Sequence, residues 1–342
     1  MKFGLFTDVS AGQNQAEQRS ASKGFASAQT LQDFGDYICE AERLGFYSAF
    51  LVEHHFTGNG QVSSSLSVLA NLAGRTSTIR LGTAVVVLPW HNPVLLAEQI
   101  ATIDQLSRGR FDFGVGRGYR PHEFSGFRIS REEAAERYEE TLAFYMRAWT
   151  SKERFDHQGP YWKFDNIVID PPVYQTPHPP VWMGATSENS VMRAGAEGFK
   201  LLLDQIATPE LIGKRVAQYR NAAEAAGRAV PPQSIGVTRA LQLVDNDDNL
   251  HRAHEHRAKM LNALGAQAGA KWASFTEREK LSSFADNAFT VDEAALIGYP
   301  EEVVRKLKTL EAQGVDYVLL ADFSASRDSL RTFSEKVMPH FS

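Results

Sequence analysis

One cysteine, Cys39, is present in 342 residues. A lone thiol closes no internal disulfide and cannot supply a multi-cysteine metal site. No run of about 18 apolar residues occurs, so no membrane-spanning helix is expected. The opening Met1-Lys2-Phe3-Gly4-Leu5-Phe6 reaches the acidic Asp8 too early for a secretory signal, which makes a cytoplasmic location the expectation. Positive charge is not in excess either. Against 36 Lys and Arg stand 41 Asp and Glu, a net −5 that offers no surface for nucleic acid or an anionic membrane. Also missing are a Walker loop, a Gly-x-Ser-x-Gly elbow, a His-x-His metal pair and a convincing pair of catalytic carboxylates.

What the chain does have is core. At 43% hydrophobic and 23% charged it is too apolar for disorder. Strand-like runs at 2–6, 48–52, 79–88, 110–115, 181–184, 200–203, 235–244 and 315–321 alternate with helical patterns at 31–44, 64–74, 93–106, 131–149, 187–198, 209–226 and 249–264. A last helix runs to about residue 340. Eight parallel strands predict a closed (β/α)8 TIM barrel spanning 1–342, with an open doubly wound sheet as the alternative. Residues 155–180, with six prolines, read as an inserted hairpin and loop, and 8–30 and 267–290 as loops long enough to be lids. His251, His254 and His256, with Arg252 and Arg257, read as a solvated helix face.

A barrel places its chemistry where strands end. Glu53-His54-His55-Phe56 follows the second strand. Neighbours in extended chain point opposite ways, so one histidine is expected in the mouth and the other beneath it. The fourth strand runs into Gly114-Val115-Gly116-Arg117-Gly118-Tyr119, where closely spaced glycines let backbone approach a ligand and Arg117 offers a fork for phosphate. That spacing is not the dinucleotide fingerprint. Gly184-Ala185-Thr186-Ser187-Glu188-Asn189-Ser190 opens a helix, where Ser187 and Ser190 suit either an anion or a plain N-cap.

These segments resemble the bacterial luciferase-like flavin monooxygenases. The likeness is carried by Glu53-His54-His55-Phe56-Thr57, Ala70-Asn71-Leu72-Ala73-Gly74-Arg75-Thr76 and Leu81-Gly82-Thr83-Ala84-Val85-Val86-Val87-Leu88-Pro89. It continues through His91-Asn92-Pro93, Asp104-Gln105-Leu106-Ser107-Arg108-Gly109-Arg110-Phe111 and Val337-Met338-Pro339, so it covers essentially the whole chain. The resemblance implies a homodimeric barrel that takes reduced FMN (FMNH2) from a separate reductase. In that family the flavin reacts with O2 to form a C4a-(hydro)peroxide, which attacks a small apolar or carbonyl-containing substrate. It assigns His54 as the catalytic histidine, Arg117 to the flavin phosphate with Ser187 and Ser190, and a cis peptide at Ala84–Val85 beneath the ring. Gly116, Tyr119, Ala185 and Thr186 complete the expected cofactor contacts, and no metal is expected.

The two long loops are then candidate lids that keep water from the flavin. Phe6, Trp90 and Trp182, with Tyr119, are candidate apolar walls, each with an equally good core reading. Two departures point away from light emission. Gly116 stands where luciferases have a cysteine, and the segment after the seventh strand is shorter. Rival readings on the same barrel are a deazaflavin F420 oxidoreductase, which moves hydride without oxygen, and a flavin-binding protein without turnover. A metal-dependent hydrolase is the rival from a different class.

Overall fold

The computed structural model describes residues 1–8, 27–57, 63–268 and 294–341, with side chains omitted for 260–268. Most of both candidate lids (residues 9–26 and 269–290) lies outside the described residues. Strands β1 (Lys2–Thr7), β2 (Ser48–Leu51), β3 (Arg80–Thr83), β4 (Val86–Val87) and β5 (Phe111–Gly116) begin the sheet. A hairpin, β6 (Phe155–Gln158) and β7 (Lys163–Ile167), stands apart from it. β8 (Val181–Gly184), β9 (Lys200–Leu203), β10 (Ile235–Leu243), β11 (Leu296–Gly298) and β12 (Tyr317–Asp322) complete it.

Every pairing in the main sheet is parallel, and the sheet closes. β10 pairs on one edge with β9 and on the other with β12, and β12 returns to β1 through Tyr317↔Lys2. Counting β3 and β4 as one interrupted strand, eight strands form the ring, which confirms the TIM barrel. β11 extends the upper edge of β10 through Leu241↔Leu296.

Alternation along each strand sorts the core into two layers. Phe3, Leu5, Leu81, Phe113, Val181 and Leu320 face outward and pack on helices. Phe50, Trp182, Leu202, Tyr317 and Leu319 face inward and fill the barrel. The rings fit because small residues face them: a Cβ on Gly82 would lie 2.5 Å from Phe50, and one on Gly236 3.2 Å from Trp182.

The helices are α1 (Ala28–Arg43), α2 (Ser65–Arg75), α3 (Pro93–Ser107), α4 (Pro121–Phe127) and α5 (Ala134–Ala148). They continue with α6 (Glu188–Glu197), α7 (Pro209–Ala225), α8 (Asp247–Ala268), α9 (Pro300–Ala312) and α10 (Arg327–Lys336). Local chemistry starts several of them. Asn92 caps Val94 and Leu95 at 3.0 and 3.2 Å with Pro93 in the first turn, and Thr208 caps Leu211 ahead of Pro209.

The structure adds β11, α4 and α9, which periodicity did not reveal because the first is three residues long and the second seven. It also corrects the solvated face on α8. Arg257 is fully buried, donating to Gln205 Oε1 and Gln205 O at 3.1 and 3.0 Å, because α8 packs against the loop after β9.

Candidate active site

The C-terminal ends of β2, β3, β5 and β8 are consecutive around the ring, and the predicted site residues leave from these ends. At the end of β2 the chain carries two carboxylate–histidine clusters. Glu53 is 4% exposed. Its Oε1 accepts from His55 Nε2 and His91 Nε2 at 3.4 and 3.2 Å, and its Oε2 from Ser65 Oγ at 2.7 Å. Burial alone would raise this carboxyl, but those three hydrogen bonds outweigh it and hold the pKa down to about 2.

The second cluster is nearer the mouth. Glu123, on α4, is also buried, yet His54 and the His55 backbone N–H keep it ionised below the usual carboxylate range. Its Oε1 accepts from His54 Nδ1 at 3.1 Å and from the His55 backbone N–H at 2.9 Å. A carboxylate on Nδ1 fixes the tautomer and leaves Nε2 as the free acid or base position. Among the described residues nothing bonds His54 Nε2. The Tyr119 ring stands edge-on to it, centroids 6.4 Å apart. The two histidines diverge as expected, with His55 edge-on to Phe127 at 4.9 Å.

Between β3 and β4 the Ala84–Val85 peptide is cis, as the resemblance implied. Gly114 has no side chain because the Thr83 carbonyl occupies the place of its Cβ. A Cβ on Gly116 would lie 2.5 Å, and one on Gly184 3.8 Å, from a Val85 methyl. Glycines on two strands thus seat half-buried Val85 as an apolar platform in the mouth. Gly118 turns the chain at φ 78°, beside Val87 and Trp90, and needs the left-handed conformation glycine allows.

Arg117 is exposed and makes no hydrogen bond or ion pair among the described residues. β5 and β8 pair in register, Val115↔Met183, so Arg117 and Ala185 leave adjacent strands at the same end. Tyr138, on α5, lies in the field of both Arg117 and Arg193, which puts Arg117 on the side of α6. Ser187 Oγ is 2.8 Å from Ser190 Oγ and accepts from the Ser190 backbone N–H at 3.4 Å, so Ser187 does cap α6. Thr186 is exposed, whereas Ala185 is buried and tied by its N–H to Leu202 O at 3.1 Å.

The candidate walls divide. Phe6 is half-buried against the inner cluster that also takes Ala84 and Val85. Trp90 stacks on Phe127, centroids 5.2 Å apart, beside the β5 turn. Trp182 is corrected to core. It is 1% exposed and bonds Asp112 Oδ1 through its indole N–H at 3.0 Å, one layer below the rim.

Sequence reasoning missed Glu123, Glu53, His91 and Arg120. His91 and Glu53 sat inside motifs quoted for the resemblance. Glu123 gave no signal, because its partner lies 69 residues away. Among the described residues no group of three or more His, Cys, Asp or Glu is arranged for a metal ion. No described helix is long and apolar enough to cross a membrane.

Comparison with known proteins agrees with this geometry. Residues 1–317 match the luciferase-like monooxygenase family. The chain is 32% identical over 230 residues to an uncharacterized protein of Sinorhizobium fredii, covering 66% of this chain and 65% of that one. It is 28% identical over its whole length, and over 96% of the relative, to the oxygenase component of the flavin-dependent trigonelline monooxygenase of Acinetobacter baylyi. The solved monooxygenase RslO1 of Streptomyces bottropensis superposes with a TM-score of 0.80 at 26% identity, covering 100% of both chains. Solved structures at lower identity, F420-dependent enzymes among them, share the fold alone. The chain therefore belongs to the luciferase-like monooxygenase family and is an enzyme of that class.

Proposed function

We propose that this chain is the oxygenase component of a two-component monooxygenase that takes FMNH2 from a separate reductase and uses O2 to oxidise a small organic substrate. One observation carries the reading. A free guanidinium, Arg117, and two hydroxyls, Ser187 and Ser190, leave adjacent strands at the same end of the barrel, beside a glycine-seated apolar platform. An arginine fork with helix N-terminal hydroxyls suits a phosphate, and Val85 with its glycine neighbours suits the face of a flat ring. The residues present therefore fit FMN. Arg117, Ser187 and Ser190 would hold the phosphate, with Gly116, Tyr119, Ala185 and Thr186 around it, and Ala84 and Val85 would support the ring.

Reduced FMN, when bound, supplies the electrons that activate O2. The protein supplies the rest. Glu123 orients His54 so that Nε2 faces the mouth and moves a proton there. Phe6 and Trp90 make the surroundings apolar, which keeps water away. A homodimer accords with α3, whose Leu95 and Leu106, three turns apart on one face, are 60% and 52% exposed. A cytoplasmic location accords with the single free thiol.

The test is anaerobic titration with FMNH2 and, separately, with reduced F420, followed by mixing with O2. Tight FMNH2 binding, with oxygen consumed on mixing, is the expected result. Tight F420 binding with no oxygen uptake would replace this reading by hydride transfer. FMN binding that is unchanged in every respect by His54→Ala would reduce the protein to a flavin carrier.

A further inference from the structure

Arg120 is the buried arginine of this protein that lacks partners. The others are satisfied. Arg215 pairs with Asp204 at 2.8 Å, Arg239 donates to three backbone carbonyls, and Arg257 holds both ends of Gln205. Arg120 is 4% exposed at the start of α4. Its Nε donates to Tyr119 Oη at 3.3 Å, and its guanidinium carbon is 5.7 Å from that ring's centroid. Among the described residues Nη1 and Nη2 donate to nothing and no carboxylate pairs with them. Neither atom is among the unpartnered polar atoms sealed from the surroundings. Burying a guanidinium without a counter-ion is costly, and it cannot shed its proton to escape the cost. Glu123, three residues on, lies within its field, but Glu123 Oε1 is committed to His54 and His55.

We propose that Arg120 receives a carboxylate of the substrate, so the substrate class is a small organic anion held beside His54. This rests on the reading of the same mouth given above. Two free N–H-bearing nitrogens in one plane match the two oxygens of a carboxylate. The position separates this anion from the phosphate of the cofactor. Arg117 lies on the α6 side, toward Ser187 and Ser190, whereas Arg120 touches Tyr119, whose ring stands against His54. An anion seated there places the rest of the molecule within reach of His54 Nε2.

The experiment is calorimetric titration of the full chain, with and without FMN. The ligands are acetate, benzoate and 2-naphthoate, each against its neutral amide. At least one carboxylate of this graded series is expected to bind tenfold or more tighter than its amide, tenfold being about 1.4 kcal/mol. Arg120→Gln should erase that ratio, Arg120→Lys should keep part of it, and FMN affinity should stay within twofold in both. No preference for any carboxylate, or a preference that survives in Arg120→Gln, overturns the proposal. So does loss of FMN binding in Arg120→Gln, which would assign the guanidinium to the cofactor. Circular dichroism checks that each variant folds, and Arg120→Lys carries the test if Arg120→Gln does not. The ratio is read on FMN-free protein too, so a failure to bind FMN overturns the reading of the cofactor and leaves the anion site to be decided by its own measurement.

Discussion

The two ends of the barrel use the same kinds of residue to opposite effect. At the N-terminal end Arg80 Nε donates to Asp112 Oδ2 at 2.6 Å, and Trp182 gives its N–H to Asp112 Oδ1 at 3.0 Å. Lys200 lies 4.8 Å over the Trp182 ring and donates to Gln233 O at 3.2 Å, and Ser48 bonds Tyr317. There the cations and carboxylate are committed to each other. At the C-terminal end the cations Arg117 and Arg120 have no acidic partner among the described residues, and His54 presents an unbonded nitrogen. Satisfied polar groups specify and hold a structure, whereas groups left open at a rim are what a ligand completes.

The largest effects should fall on opposite observables at the two ends. His54→Ala is expected to lower turnover by about 10²–10⁴, the usual range for a positioned acid–base group, with unfolding nearly unchanged. Asp112→Ala should do the reverse. It strands Arg80 and the Trp182 N–H below the rim, a loss of about 3–5 kcal/mol in a denaturant titration, while any folded fraction still binds FMN. Equal damage to both observables from either variant would break the contrast between an open mouth and a committed floor.

How much of this was legible in advance follows from the same contrast. The barrel could be read because β/α alternation repeats locally, as in the near-continuous apolar run from Ala84 to Leu88. His54, Arg117, Ser187 and Ser190 could be found because a strand end is a place the sequence marks. Glu123 and Arg120 could not, since α4 is too short to show periodicity and their roles depend on partners brought in by β2. Trp182 read as a wall because a sequence does not tell an inward-facing position low in the barrel from one at its rim. The burial of Arg257 depended on the loop after β9, 52 residues earlier, which no local pattern on α8 reports.

A smaller effect should separate the two histidine clusters by pH. Glu53 ionises at about 2 in the fold, below the usual carboxylate value of 4.5. Between those values the unfolded chain binds more protons, so this group's stabilisation is complete above about pH 4.5 and is lost as pH falls toward 2. The difference corresponds to about 3 kcal/mol, as an upper figure for a buried group coupled to two histidines. Glu53→Gln should flatten the acid limb of stability measured from pH 5 to 2.5. An unchanged slope would mean that Glu53 is not held by His55, His91 and Ser65.

The smallest effect falls on Ser187, where two roles overlap and can be told apart by the choice of substitution. Its hydroxyl caps α6, and losing a cap to alanine costs about 1 kcal/mol, whereas glycine at the same position costs only a few tenths. A phosphate sees no such difference, because alanine and glycine both lack the hydroxyl. Ser187→Ala and Ser187→Gly should therefore differ in thermal stability, glycine being closer to the native protein. Both should weaken FMN binding by the same several-fold factor. If FMN affinity instead follows stability across the pair, the hydroxyl serves the helix alone and the phosphate is left to Arg117 and the backbone.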